Sequence, residues 1–95
     1  MKLLFCENCS DVISLHLDEV RTCKCKSIGG KYVDKLNAIY YGGEAVPIGF
    51  RNSSLINAIR WQPDSGLGED FTAFVIAKKC PTFRLVTKEE LNLDK

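Results

Sequence analysis

Along the 95 residues the apolar positions fall into short period-two runs and one run of helical period. Lys2 to Phe5 form a short strand that leads into a first pair of cysteines. In "VISLHL" (12–17), Ile13, Leu15 and Leu17 lie on one side and Val12, Ser14 and His16 on the other, the pattern of a half-buried strand. "LDEV" (17–20) is placed to turn that strand back, so that "VRTCKC" (20–25) returns alongside it. "IGGKYV" (28–33) is strand-like, and the paired Gly29 and Gly30 indicate a bulge, a turn or a close backbone approach. "NAIYYGGEAVPIGF" (37–50) reads as two strands around a Gly42-Gly43 hairpin turn, with Pro47 putting the second at a sheet edge.

The helical run is "NSSLINAIRWQP". Leu55, Ile56, Ala58 and Ile59 form its apolar stripe, Asn52 or Ser53 supplies an N-cap, and Pro63 ends it, which predicts a helix over 53–62. "FTAFVIA" (71–77) is a continuous apolar run of strand length, expected to be a central strand buried on both faces. "CPTFRLV" (80–86) supplies a last strand after the Cys80-Pro81 break. In "TKEELNLDK" (87–95), Thr87 with Glu90 three residues later resembles a capping box on a short, fraying tail. The expectation is a single α+β domain. It would comprise an N-terminal zinc-ribbon-like hairpin unit (1–30), a small mainly antiparallel sheet with one central helix (31–86), and the tail (87–95).

Composition narrows the function classes. Hydrophobic residues make up 45% of the chain, too many for a disordered tail, and folding at this length is marginal without reinforcement. The formal net charge is +1, which gives no global attraction to nucleic acid or to an acidic membrane surface. No apolar stretch approaches the roughly 20 residues of a membrane span. "MKLLFCENC" carries too short an apolar run for a signal peptide, so the expected location is cytoplasmic. There thiols stay reduced and structural disulfides are disfavoured.

That context bears on the cysteines. Cys6 and Cys9 are two residues apart, Cys23 and Cys25 one apart, and thirteen residues lie between the pairs. A zinc ion takes four soft ligands in a tetrahedron, and two close pairs brought together by a hairpin supply them. The alternatives are reduced thiols packed without metal, and disulfide or redox use. If all four positions are thiolates, no coordination position is left for water or substrate. The site is then structural and contributes folding free energy. Lys24 and Lys26 partly offset its negative charge. His16, on an alternating strand, reads as a flank residue, and Cys80 as a small packed side chain.

Taken together, the cysteine pairs, "GGKY", "LNAIYYGG", "PIGFRNSS", "QPDSGLGEDFTAFVI" and "CPTF" resemble an uncharacterised family of small proteins found in bacteria and their phages. The likeness covers most of residues 6–84. It implies a phage or prophage accessory protein, a class that often inhibits or sequesters something of the host. "CKCK" departs from the glycine-containing second turn that the resemblance leads one to expect.

Function is then sought outside the cysteines. "GFRNSS" (49–54) leads into the helix N-terminus, where free N–H groups and the helix dipole favour an anion. Arg51 adds a charge, and Asn52, Ser53 and Ser54 add short polar side chains. An ordinary N-cap explains the same residues. Lys31, Tyr32, Tyr40, Tyr41, Arg60 and Trp61 supply cations and aromatic faces that suit a nucleotide, and Trp61 also suits a partner interface. No catalytic motif is present. The leading expectation is a non-enzymatic, zinc-stabilised protein that sequesters a phosphate-bearing nucleotide or host immune signal, using Arg51, Asn52, Ser53, Ser54, Lys31 and Tyr32. A protein–protein interaction module or inhibitor of a host protein is the alternative. A zinc-ribbon nucleic-acid binder is third, and the near-neutral charge argues against it.

Overall fold

The computed structural model describes residues 2–93, so residues 94 and 95 of the tail lie outside the described residues. The chain is mixed α+β, built on two four-stranded sheets. The first contains β1 (Lys2–Cys6), β2 (Val12–Ser14), β6 (Ala45–Phe50) and β7 (Ala73–Val75) in the order β2-β1-β6-β7, all antiparallel. The second contains β3 (Arg21–Thr22), β4 (Gly29–Tyr32), β5 (Ala38–Tyr41) and β8 (Phe83–Leu85) in the order β3-β4-β5-β8. Only β5 and β8 run parallel. Two helices, α1 (Asn52–Arg60) and α2 (Lys88–Leu93), complete the described residues.

Several expectations are corrected here. β2 and β3 do not form a hairpin: β2 pairs with β1 and β3 with β4, in different sheets. Gly42-Gly43 is not a hairpin turn either. Gly42 has φ +108°, and the chain crosses there from β5 in one sheet to β6 in the other. β6 lies between β1 and β7 rather than at an edge. Pro47 is accommodated because its backbone polar groups face β7 where that strand ends. Its carbonyl accepts the Ile76 N–H at 2.8 Å, and its missing N–H breaks no further rung.

β5 is the strand buried on both faces. Ala38 and Tyr40 join Leu4, Cys6, Ile13, Leu15, Cys23, Ile28 and Phe83 in the main core, which draws on both sheets. The Tyr40 and Phe83 rings meet edge to face at 4.9 Å. Ile39 and Tyr41 point the other way, onto Leu91 of α2. The N-cap bond of α2 forms, with the Glu90 N–H donating to Thr87 Oγ1 at 3.1 Å and Thr87 Oγ1 lying 3.5 Å from Glu90 Oε1. "FTAFVIA", expected in the centre, supplies only β7, a three-residue outer strand with every residue exposed.

The expected helix forms as Asn52–Arg60, but it is not central, and none of its residues is buried. Residues 51–72 leave the first sheet after β6 and return to it at β7. They form an arm that gives the molecule extents of 46 × 27 × 23 Å. The radius of gyration is 14.7 Å, against about 12 Å for a compact chain of this length.

The glycine pair of β4 is explained by close approach. A Cβ on Gly30 would lie 2.7 Å from the Ile39 carbonyl oxygen and 3.2 Å from Leu4 Cδ1 of the opposite sheet. Gly30→Ala is therefore expected to destabilise the fold by about 2–3 kcal/mol in chemical denaturation, the overpacking range. Gly43→Ala, where nothing lies within 4 Å, should leave stability unchanged. Equal behaviour of the two variants would show that the sheets do not pack this closely.

Candidate metal centre

One turn from each sheet builds the site. Cys6 ends β1 and Cys9 sits in the β1–β2 turn; Cys23 follows β3 and Cys25 sits in the β3–β4 turn. The first turn closes through Ser10 N–H to Cys6 O at 2.7 Å and Cys6 N–H to Asp11 O at 2.9 Å. The second closes through Lys26 N–H to Cys23 O at 3.1 Å and Cys23 N–H to Ile28 O at 3.3 Å. In each turn the residue just after the second cysteine has left-handed backbone: Ser10 has φ 60° and Lys26 has φ 62°. Glycine adopts this conformation freely, whereas other residues hold it at about 1–2 kcal/mol. Both turns therefore have the backbone that a glycine would favour, without the glycine.

The four sulfurs lie within 4.8 Å of one another and could hold a metal ion. None of the four is in a disulfide. Cys6 Sγ is 3.7 Å from Cys25 Sγ, and Cys23 Sγ is 3.5 Å from Cys25 Sγ. A tetrahedron of sulfurs about 2.3 Å from a central zinc has edges of about 3.8 Å, so the donor set fits with sub-ångström adjustment. Cys6 and Cys23 are buried, Cys9 is half-buried and Cys25 is exposed.

Polar groups around the sulfurs favour thiolate. Ser27 Oγ lies 3.1 Å from Cys25 Sγ and 3.4 Å from Cys6 Sγ, and Asn8 Nδ2 donates to Cys25 Sγ at 3.3 Å. The Ser27 hydroxyl, then the Asn8 amide and the Ser27 backbone N–H, draw the Cys25 thiol down to about 5. Desolvation pushes Cys23 up, but the Ile28 amide and the Cys6 and Cys9 sulfurs bring it below its ordinary value. The Cys25 amide pulls Cys9 down, yet desolvation and the neighbouring Cys25 and Cys6 thiols raise it on balance. Such opposed shifts are expected where several thiols compete for a few protons, and a cation at the centre would relieve them all. Asp11 ties the two turns together, its Oδ2 accepting the Lys24 N–H at 3.1 Å. Asn8, Asp11 and Ser27 were not singled out from the sequence. Nothing separates them there from ordinary polar turn residues until the two turns are brought face to face.

His16 and Cys80 stand outside the cluster. The Arg21 guanidinium donates to His16 Nε2 at 2.8 Å, and Cys80 packs against the main core with Sγ 3.4 Å from Thr82 Oγ1.

The residues expected to bind a phosphate-bearing ligand lie in two places. Arg51, not Asn52 or Ser53, is the N-cap of α1, and its side chain makes no capping bond. Arg51, Asn52 and Ser53 are exposed, while Ser54 Oγ accepts the Thr72 N–H at 2.8 Å and so ties α1 to the segment entering β7. Lys31 and Tyr32 belong to β4. They line a cavity of about 380 Å³ with Leu17, Asp18, Val33 and Arg84, which none of residues 51–54 lines. Tyr40 and Tyr41 are core residues, and Trp61 is 72% exposed at the end of α1.

Ser27→Ala is expected to weaken zinc affinity by about tenfold, as measured by competition with a chromophoric chelator. The loss should be larger at pH 6 than at pH 8. Without the hydroxyl the Cys25 thiol titrates higher, and more of it must release a proton on binding. Affinity equal to wild type at both pH values would remove Ser27 from the centre.

Set beside known proteins, the chain matches no family model, no curated protein and no solved structure at a significant level.

Proposed function

We propose that this chain is a non-enzymatic interaction module, a body of two sheets clamped by a structural zinc ion that presents residues 51–75 as its binding surface. The observation that carries the reading is the division between the two ends of β6. Cys6 pairs with Ala45 at its start, so the sulfur cluster stands at that end. The arm departs after Phe50 at the other end. The cluster brings four sulfurs from turns of both sheets within 4.8 Å of one another, and a closed four-thiolate set of this kind supplies folding free energy rather than catalysis. The arm supplies no buried helix residue to the core and carries a concentration of exposed apolar side chains. Such a patch on a small protein is the mark of a partner surface.

A second reading keeps a phosphate-bearing ligand, such as a nucleotide or host signal sequestered by a phage accessory protein. The cavity lined by Lys31, Tyr32 and Arg84 supports it, since two cationic residues and an aromatic one meet there against a single carboxylate, Asp18.

Native mass spectrometry and thermal unfolding test the first reading. Wild type should carry one zinc per chain. Cys6→Ser should lose both the metal and a cooperative transition, because zinc binding in small domains is worth on the order of 10 kcal/mol. Ile59→Asp, in the arm, should keep the metal and the transition. A variant at Ile59 that unfolds the body would overturn the division of labour, and a wild-type mass without metal would remove the clamp. For the second reading, millimolar nucleoside diphosphate should raise the melting temperature by several degrees in wild type and not in Arg84→Ala. No shift in wild type would dismiss it.

A further inference from the structure

The four cysteines of the cluster are not equally placed. Cys6 and Cys23 are buried, Cys9 is half-buried, and only Cys25 is exposed. Its chain neighbours Lys24 and Lys26 are exposed as well. Asn8 Nδ2 stands 3.3 Å and Ser27 Oγ 3.1 Å from the Cys25 sulfur, so polar groups and cations flank the cysteine that solvent-borne reagents reach. Behind it, 3.5 Å away, lies the sulfur of Cys23 in the same turn. An accessible, hydrogen-bonded sulfur with a second sulfur in reach is the arrangement of an oxidation-sensitive thiol. Cys80 lacks it: its sulfur contacts Thr82 Oγ1 at 3.4 Å, outside the cluster.

We propose that Cys25 is the position at which hydrogen peroxide opens the metal centre, and that its oxidation ends in a disulfide with Cys23. This rests on the reading of the four cysteines as a zinc clamp and adds a means of releasing it. The Cys25 thiolate attacks one peroxide oxygen; the S–O bond forms, the O–O bond breaks and hydroxide leaves. The Cys23 thiolate then attacks the Cys25 sulfur; the S–S bond forms, the S–O bond breaks and a second hydroxide leaves. Two electrons pass from the two thiolates to the peroxide, and solvent protons neutralise the two hydroxides. The site then keeps only Cys6 and Cys9, half of the set that a structural zinc requires. Cys6 is the competing partner, its sulfur 3.7 Å from that of Cys25. It is the less suited of the two. Cys6 is fixed at the end of β1, which pairs along its whole length with β6, so bridging it draws turns of two sheets together. Cys23 shares a turn with Cys25, and a bridge of about 2.05 Å there needs movement of that turn alone. The choice has a consequence: a bridge within one turn unfastens the sheets, whereas a Cys6–Cys25 bridge would replace the metal with a covalent link.

Substoichiometric hydrogen peroxide on the zinc-loaded chain tests this, with zinc release followed by a chromophoric chelator and the thiols mapped by mass spectrometry. Dimedone, which traps sulfenic acid, should label Cys25 before any other cysteine. Without dimedone, the non-reduced peptide map should show Cys23 joined to Cys25, formed in step with zinc release and reversed by dithiothreitol. Cys25→His puts an imidazole, also a zinc ligand, at the exposed position; it should load zinc and release it to peroxide at least about tenfold more slowly. Should Cys25→His fail to load zinc, the wild-type map decides alone. A first label on Cys6, Cys9, Cys23 or Cys80, a Cys6–Cys25 bridge, or zinc retained after peroxide overturns the proposal and leaves the zinc clamp standing. So does a loaded Cys25→His that releases zinc at the wild-type rate. A wild-type chain that carries no zinc before peroxide removes the clamp itself.

Discussion

Four sulfurs from two turns must share a space less than 5 Å across, and the rest of the molecule is arranged around that demand. Cys6 and Cys23 are members of the main core as well as of the cluster, so packing and ligand geometry constrain the same side chains. Two residues before Cys6, on the same face of β1, Leu4 is fully buried and reaches the opposite sheet at Gly30. The close approach at the glycine pair and the meeting of the turns are thus one contact read at two points. Thiolates without a cation repel one another, and thiols in their place leave the Asn8 and Ser27 donors with weaker acceptors. A divalent cation resolves both conflicts together.

A body this small has little else to reinforce it. Its second core cluster consists of Ile39, Tyr41 and Leu91 with a few half-buried neighbours, and the six-residue α2 covers one face of β5 there. Strands of two to six residues bring few ladder bonds each. In such a fold a metal held by turns of both sheets would bind the folded chain alone and so stabilise it, fixing both turns at once. The left-handed backbone at Ser10 and Lys26 fits this account, because strain at two non-glycine residues is held in place by whatever closes the turns around them.

What was legible in the sequence follows from range. The spacing of Cys6, Cys9, Cys23 and Cys25 is a local signal, and so are the helical stripe of Leu55 to Ile59 and the N-cap at Thr87. All three appear in the structure. Pairing between strands is not local. "VISLHL" and "VRTCKC" lie close in sequence and read as a hairpin, yet each finds its partner in another sheet. Gly42-Gly43 carries the chemistry of a hairpin turn, but the backbone conformation it permits serves equally for a crossing between sheets. "AIYY" and "FTAFVIA" are both continuous apolar runs. Only the parallel strand β8 on one side and α2 on one face make the first a central strand, and the second has neither. The cysteine cluster was therefore visible as a set of ligands, while Asn8, Asp11 and Ser27 became visible only once two distant turns faced each other.

The helix shows where local and global order disagree. Its stripe is well formed, with Leu55, Ala58 and Ile59 at helical spacing, and in a folded domain such a stripe normally meets the core. Here it lines a groove with its own returning segment, no residue of the helix is buried, and Trp61, Leu67, Phe74 and Val75 of the same stretch are exposed. The helix thus satisfies each local rule while the apolar surface it organises stays unburied in the single chain. β6 connects this unsatisfied end to the satisfied one. At its start Ala45 pairs with Cys6, and at its end Phe50 steadies Phe71 at the base of the arm. The cluster joins the turn after β1 to the turn after β3, and β1 pairs along its whole length with β6, the strand from which the arm leaves. A metal held there would steady one end of β6 without touching the arm at the other.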